Sequence, residues 1–233
     1  MTQQEVMNVL EAAGTAQNRK VYARHGVRGD QFGVSYALLG RLKKQIKTDH
    51  ALAEALWATG NHDARVLACM IADPAAVSVA TLNAWVRTLD NYVITDAFSG
   101  FAARTPHAWG RAKSWIKSKN EWAGAAGWNI VSGLAIEARG PSDTDLAALL
   151  PVIEKGIHAA RNRTRHSMNN ALIAIGARSE ALAGAAIAAA ARIGKVEVDH
   201  GETNCKTPDA ASYIAKTRAH YAEKGGITKR KRC

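Results

Sequence analysis

A chain of 233 residues, 47% hydrophobic and with only five prolines, is long enough for one large folded domain or two small ones. It contains no run of about 18 apolar residues, which excludes a membrane-spanning helix, and Cys69, Cys205 and Cys233 have neither paired metal spacing nor an even-numbered disulfide framework. The net charge of +11 favours a polyanionic partner, because neutralising phosphates releases counterions.

Taken in order, the elements are helices. The opening MTQQEVMNVLEAAG lacks a basic stretch before an apolar core, so no secretory signal is expected and a reducing cytoplasm is the expected location. Val6, Met7, Val9 and Leu10 give an amphipathic helix over residues 3–12. Asn18–Val34 carries Gly26, Gly29 and Gly33 and reads as an irregular connection. Ser35 caps Tyr36–Ile46, where Leu38, Leu39, Leu42 and Ile46 recur at helical spacing. Asp49 opens Ala51–Thr59, Asn61 opens His62–Ala72 up to Asp73-Pro74, and Ser78 caps Leu82–Leu89.

The stretch Trp85–Phe101, WVRTLDNYVITDAFSGF, breaks at Leu89-Asp90-Asn91 and restarts as a helix anchored by Tyr92, Ile94, Phe98 and Phe101. Asp96 stands four residues after Tyr92, which puts ring and carboxylate on one helical face. Thr105-Pro106 reads as a cap with proline at the first position of His107–Lys117. Asn120 opens Trp122–Ala138, and Gly140-Pro141 ends it. Ser142 and Asp145 form a capping box for one helix over Leu146–Ile157, Asn162 opens Thr164–Ile175, and Ser179 opens an alanine-rich helix to Ile193. Lys195–Asp199 alternates like a strand but is too short to form a sheet alone, and Thr207–Tyr221 gives a last helix before the basic tail.

Beneath these elements runs a repeat. Asn61, Asn91, Asn120 and Asn162 each begin the second helix of a pair, about thirty to forty residues apart, and Trp57, Trp85 and Trp115 precede the first three. The expected fold is therefore all-α: a solenoid of HEAT-like helical hairpins over residues 1–193, its second helices lining a concave face, then a C-terminal extension over 194–233.

The run FGVSYALLGRLKKQIKTDHALAEALWATGNHDARVLACMIADP, followed by WVRTLDNYVITD, resembles the bacterial HEAT-like repeat DNA alkylation repair proteins, the AlkD-like family, over roughly Phe32–Gly176. The later GKVEVDHGETNCKTPDAASYI resembles an extension found in one branch of that family. The resemblance implies a glycosylase that releases cationic N3- or N7-alkylpurines, with an aspartate, two tryptophans and an arginine on the concave face. The aspartate falls on Asp96 and the first aromatic on Tyr92. Two positions depart: Ala125 stands where the arginine would be, and Asn170 where the second tryptophan would be.

A cationic purine leaves neutral without a general acid, so what needs stabilising is an oxocarbenium-like sugar, which one carboxylate can oppose. Asp96 is the candidate for that role and Tyr92 for holding the sugar; the alternative is that Asp96 serves an ion pair or a helix cap. Arg161, Arg163, Arg165 and His166 cluster where a helix N-terminus suits phosphate, with Arg65 at a comparable place earlier and Asn170 on the same helix. Trp122 is the tryptophan expected toward DNA, and Trp109, Trp115 and Trp128 the ones expected in the core. Lys229, Arg230, Lys231 and Arg232 read as an electrostatic arm. His200, Glu202 and Cys205 match no zinc spacing, so neither metal nor cofactor is expected. The expectation is thus a monomer that binds alkylated or distorted double-stranded DNA and hydrolyses alkylpurine nucleotides. The alternatives are a non-catalytic module for bent or branched DNA and a protein-binding solenoid.

Overall fold

A computed structural model describes residues 1–223, and among them every regular element is a helix. They fall into two compact units.

The first unit, residues 1–107 with 201–204, contains α1 (Gln3–Ala13), α2 (Ala16–Arg24), α3 (Tyr36–Ile46), α4 (His50–Ala58), α5 (His62–Ile71), α6 (Val79–Arg87) and α7 (Tyr92–Ala102). Short polar side chains begin them: Thr2, Thr15, Ser35, Asp49, Asn61, Ser78 and Asn91 each accept a backbone N–H from the first turn that the helix itself leaves unpaired. Helix α4 pairs with α5 and α6 with α7, while the second helices α5 and α7 pack on each other. The recurring tryptophans join these pairs. The Trp57 and Trp85 rings stack at 4.3 Å and 4°, with Phe98 6.0 Å from the first and Phe101 5.8 Å from the second.

The second unit, residues 108–200 with 205–223 of the described chain, contains α8 (Ala108–Trp115), α9 (Glu121–Ile136), α10 (Asp143–Ala147), α11 (Leu150–Gly156), α12 (Asn162–Arg178), α13 (Glu180–Ile193) and α14 (Ala210–Glu223). Here α9 packs on α8 and α12, and α14 on both α12 and α13. Glycine allows the closest approach: a Cβ on Gly127 of α9 would lie 2.6 Å from the Ile116 nitrogen. Trp115 and Trp128 are buried in this core, and Trp109 is half-buried with the Lys113 ammonium 5.4 Å over its ring.

Three expectations need correction. Residues 18–34 are not irregular throughout. Thr15 starts α2, and the chain leaves the helix only at Gly26, in the left-handed region at φ +81°. Thr105 does not cap a helix; its hydroxyl donates back to the Ala102 carbonyl at 2.8 Å, closing α7, and α8 starts at Ala108. The helix expected over 146–157 is two, because Pro151 lacks an N–H and its ring clashes with the carbonyl one turn back, so the chain breaks between Ala147 and Leu150. Lys195–Asp199, too short to form a sheet alone, is irregular as expected, with no second strand among the described residues to pair with it.

Candidate functional site

In the first unit the site begins with α7. The Asn91 side-chain oxygen accepts the Ile94 N–H at 3.1 Å, and its amide donates to Asp90 at 2.7 Å, which fixes where the helix starts. Ile94, Phe98, Phe101 and Ala102 turn inward and Asp96 is left exposed. Half-buried Tyr92 is the first residue of α7, and its hydroxyl shares a hydrogen bond with Nδ1 of His25, the residue that closes α2. Those two rings meet edge to face at 5.8 Å and 67°. Tyr36, first residue of α3, leaves 48% of its surface open. Its phenol is nonetheless pushed up to about 12, first by the protein that buries it and then by the negative charges of Asp96 and Asp63. An exposed carboxylate thus stands among phenol rings from two helices.

Sequence reasoning singled out Asp96 and Tyr92 but not His25 or Tyr36. No periodicity links His25 to a residue 67 positions later. Tyr36 did leave a signal: it is an aromatic lying off the Leu38, Leu39, Leu42, Ile46 stripe.

What supports this surface is Asp63 of α5, 0% exposed. Its carboxylate accepts N–H groups from Phe32, Gly33 and Val34 at 2.7, 3.0 and 2.9 Å. Gly33 stands at φ +78°, and a Cβ there would meet the Thr15 carbonyl oxygen at 2.7 Å, so only glycine fits. Arg65 is engaged in the same unit: its guanidinium lies 5.4 Å over the Trp57 ring and donates to the Thr88 carbonyl at 3.3 Å.

In the second unit, Asn162 does not cap α12. Arg161 holds the cap position without a side-chain bond, and the anion at this helix end is a carboxylate of the chain itself: Glu121 accepts the Arg163 N–H at 2.7 Å. The Thr164 hydroxyl donates to the Glu121 carbonyl at 2.8 Å. Asn162 instead grips Asp199, donating to its carbonyl and accepting its N–H, both at 2.8 Å. Arg165 donates to the carbonyls of Glu197, His158 and Ala160 at 2.9, 3.1 and 2.9 Å. Asn170 donates to His166 Nε2 at 3.1 Å, and the His200 ring stands edge-on to His166 at 5.3 Å. Burial, then Arg163 and His200, push the His166 imidazole down to about 4.

Arg161 is exposed, and Arg163 and Trp122 are half-buried. Ala125 is 2% exposed, and a Cβ on Gly124 beside it would lie 3.0 Å from the Thr164 hydroxyl, so this seam of α9 is packed rather than open. Lys229, Arg230, Lys231 and Arg232 lie outside the described residues. Among the described residues no His, Cys, Asp and Glu cluster is assembled that could hold a metal, and no helix is long and apolar enough to cross a membrane.

Charge divides unevenly. Among the described residues the first unit has 11 basic against 10 acidic and the second 15 against 10, so most of their positive excess belongs to the second.

Residues 6–214 match the family described as DNA alkylation repair enzyme. Uncharacterized protein Lin0241 of Listeria innocua is 31% identical over 218 residues, covering 90% of this chain and 94% of that protein. Uncharacterized protein Lmo0209 of Listeria monocytogenes is 30% identical with the same coverage. A solved structure described as a new family of proteins related to the HEAT-like repeat DNA glycosylases with affinity for branched DNA structures is similar at a TM-score of 0.86. It shares 30% identity and covers 100% of this chain and 99% of its own.

Proposed function

Because the chain belongs to the DNA alkylation repair enzyme family, with the all-α HEAT-like repeat fold, we propose that it is a DNA-binding protein of that family which engages branched or distorted duplex through the Asp96–Tyr92–Tyr36 surface. The observation that carries this reading is Ala125, buried in the packed seam of α9 at the place where the resemblance puts an arginine. Alanine supplies no cation there. With Asn170 tied to His166, little of the glycosylase constellation beyond the aspartate and one ring is present. A carboxylate with flanking phenols suits a junction, where unpaired or unstacked bases offer amino donors and ring faces that a continuous duplex hides. The basic second unit supplies attraction to phosphate.

A second reading, hydrolysis of cationic alkylpurine nucleotides, is favoured by the exposure of Asp96, whose carboxylate could oppose an oxocarbenium-like sugar. One experiment separates the two: base release from duplex carrying N7-methylguanine, by wild type and Asp96→Asn, beside binding of both proteins to a four-way junction. The first reading predicts junction binding without release. Release by wild type alone would establish the second.

A further inference from the structure

His25 has no place in the site as the sequence presents it, yet its position is fixed more firmly than a loop residue requires. Its N–H donates to the Val21 carbonyl at 3.2 Å, and Val27 donates to the Tyr22 carbonyl at 3.0 Å across Gly26, so the imidazole is presented from a closed helix end. The Tyr22 hydroxyl, in turn, donates to the Val34 carbonyl, and Thr15 donates to the Gly33 carbonyl at 3.1 Å. Phe32, Gly33 and Val34 are the residues held by buried Asp63. A continuous set of bonds therefore runs from the interior of α5, through the 32–34 segment and α2, to the imidazole that meets Tyr92.

We propose that His25 is a positioning residue for Tyr92: the phenol donates to its Nδ1, and that bond with the edge-to-face ring contact holds the phenol as a rigid face for nucleic-acid bases. Tyr92 stands at the first turn of α7, half-buried. Fixing the ring before binding removes an ordering cost that junction binding would otherwise include. The inference rests on the reading that Tyr92 faces DNA.

The test compares wild type with His25→Leu, His25→Asn, Tyr92→Phe, Tyr92→Ala and the His25→Leu/Tyr92→Phe pair. Dissociation constants are measured for a four-way junction at fixed salt. His25→Leu and Tyr92→Phe should each weaken junction binding about three- to tenfold, the worth of one hydrogen bond, and the double variant no further. His25→Asn, which keeps an acceptor at the δ position, should restore most of the loss. Ring 15N shifts should show His25 as the Nε2–H tautomer in wild type and a mixture in Tyr92→Phe. Junction binding lost in Tyr92→Ala but intact in His25→Leu overturns the positioning role alone, as does a tautomer that ignores Tyr92→Phe. Binding untouched by Tyr92→Ala overturns the DNA-facing reading and the role of His25 with it.

Discussion

Three consecutive backbone N–H groups depend on the Asp63 carboxylate, and no water can replace it at 0% exposure. Asp63→Asn would turn an acceptor into a donor facing them and should cost about 2–4 kcal/mol in urea unfolding. His166 gives a pH signature. Its Nε2 accepts from Asn170, so it folds neutral, with its pKa pushed down to about 4 from the ordinary 6.5. Between about pH 6.5 and 4 the unfolded chain binds a proton that the native chain refuses, so stability falls as pH drops through that window. His166→Asn should flatten that fall in thermal melts. The sequence shows His166 and Asn170 on one helix and Asp96 and Tyr92 on another, while the partners of Asp63 and Tyr92 lie about 30 and 67 positions away, beyond any local pattern.

At the scale of elements, the asparagine repeat is the part most readable in advance. Asn61, Asn91 and Asn120 do accept from the first turns of α5, α7 and α9, since a short amide at that place pairs an orphan N–H. Asn162 has the same spacing and another partner, Asp199, because Glu121 already fills the helix end. Asn162→Ala should therefore leave α12 intact and release residues 195–200, seen as amide exchange at Asp199 faster by about tenfold with the melting temperature almost unchanged. The α8–α9 contact has the opposite character. Gly127→Ala pushes a methyl into the Ile116 backbone and should cost about 1–3 kcal/mol globally. Glycine at 127 and proline at 151 act through neighbours or through a broken hydrogen-bond ladder, so an apolar stripe hides both.

For the whole molecule, the helical repeats were legible because hairpin spacing and tryptophan placement recur, with the Trp57–Trp85 stack as their physical basis, and the family through the resemblance over Phe32–Gly176. Composition gave the charge but not its allocation to the second unit, which depends on which segments fold together. That allocation predicts a steep fall of DNA affinity with salt, while preference for shape, belonging to the nearly neutral first unit, should survive it. The most direct measurement is equilibrium binding to a four-way junction and to linear duplex of equal length, at two salt concentrations. The predicted result is junction binding about tenfold tighter or more at both, with both affinities falling as salt rises. Equal affinity for the two DNAs would contradict the proposal that this surface engages branched DNA.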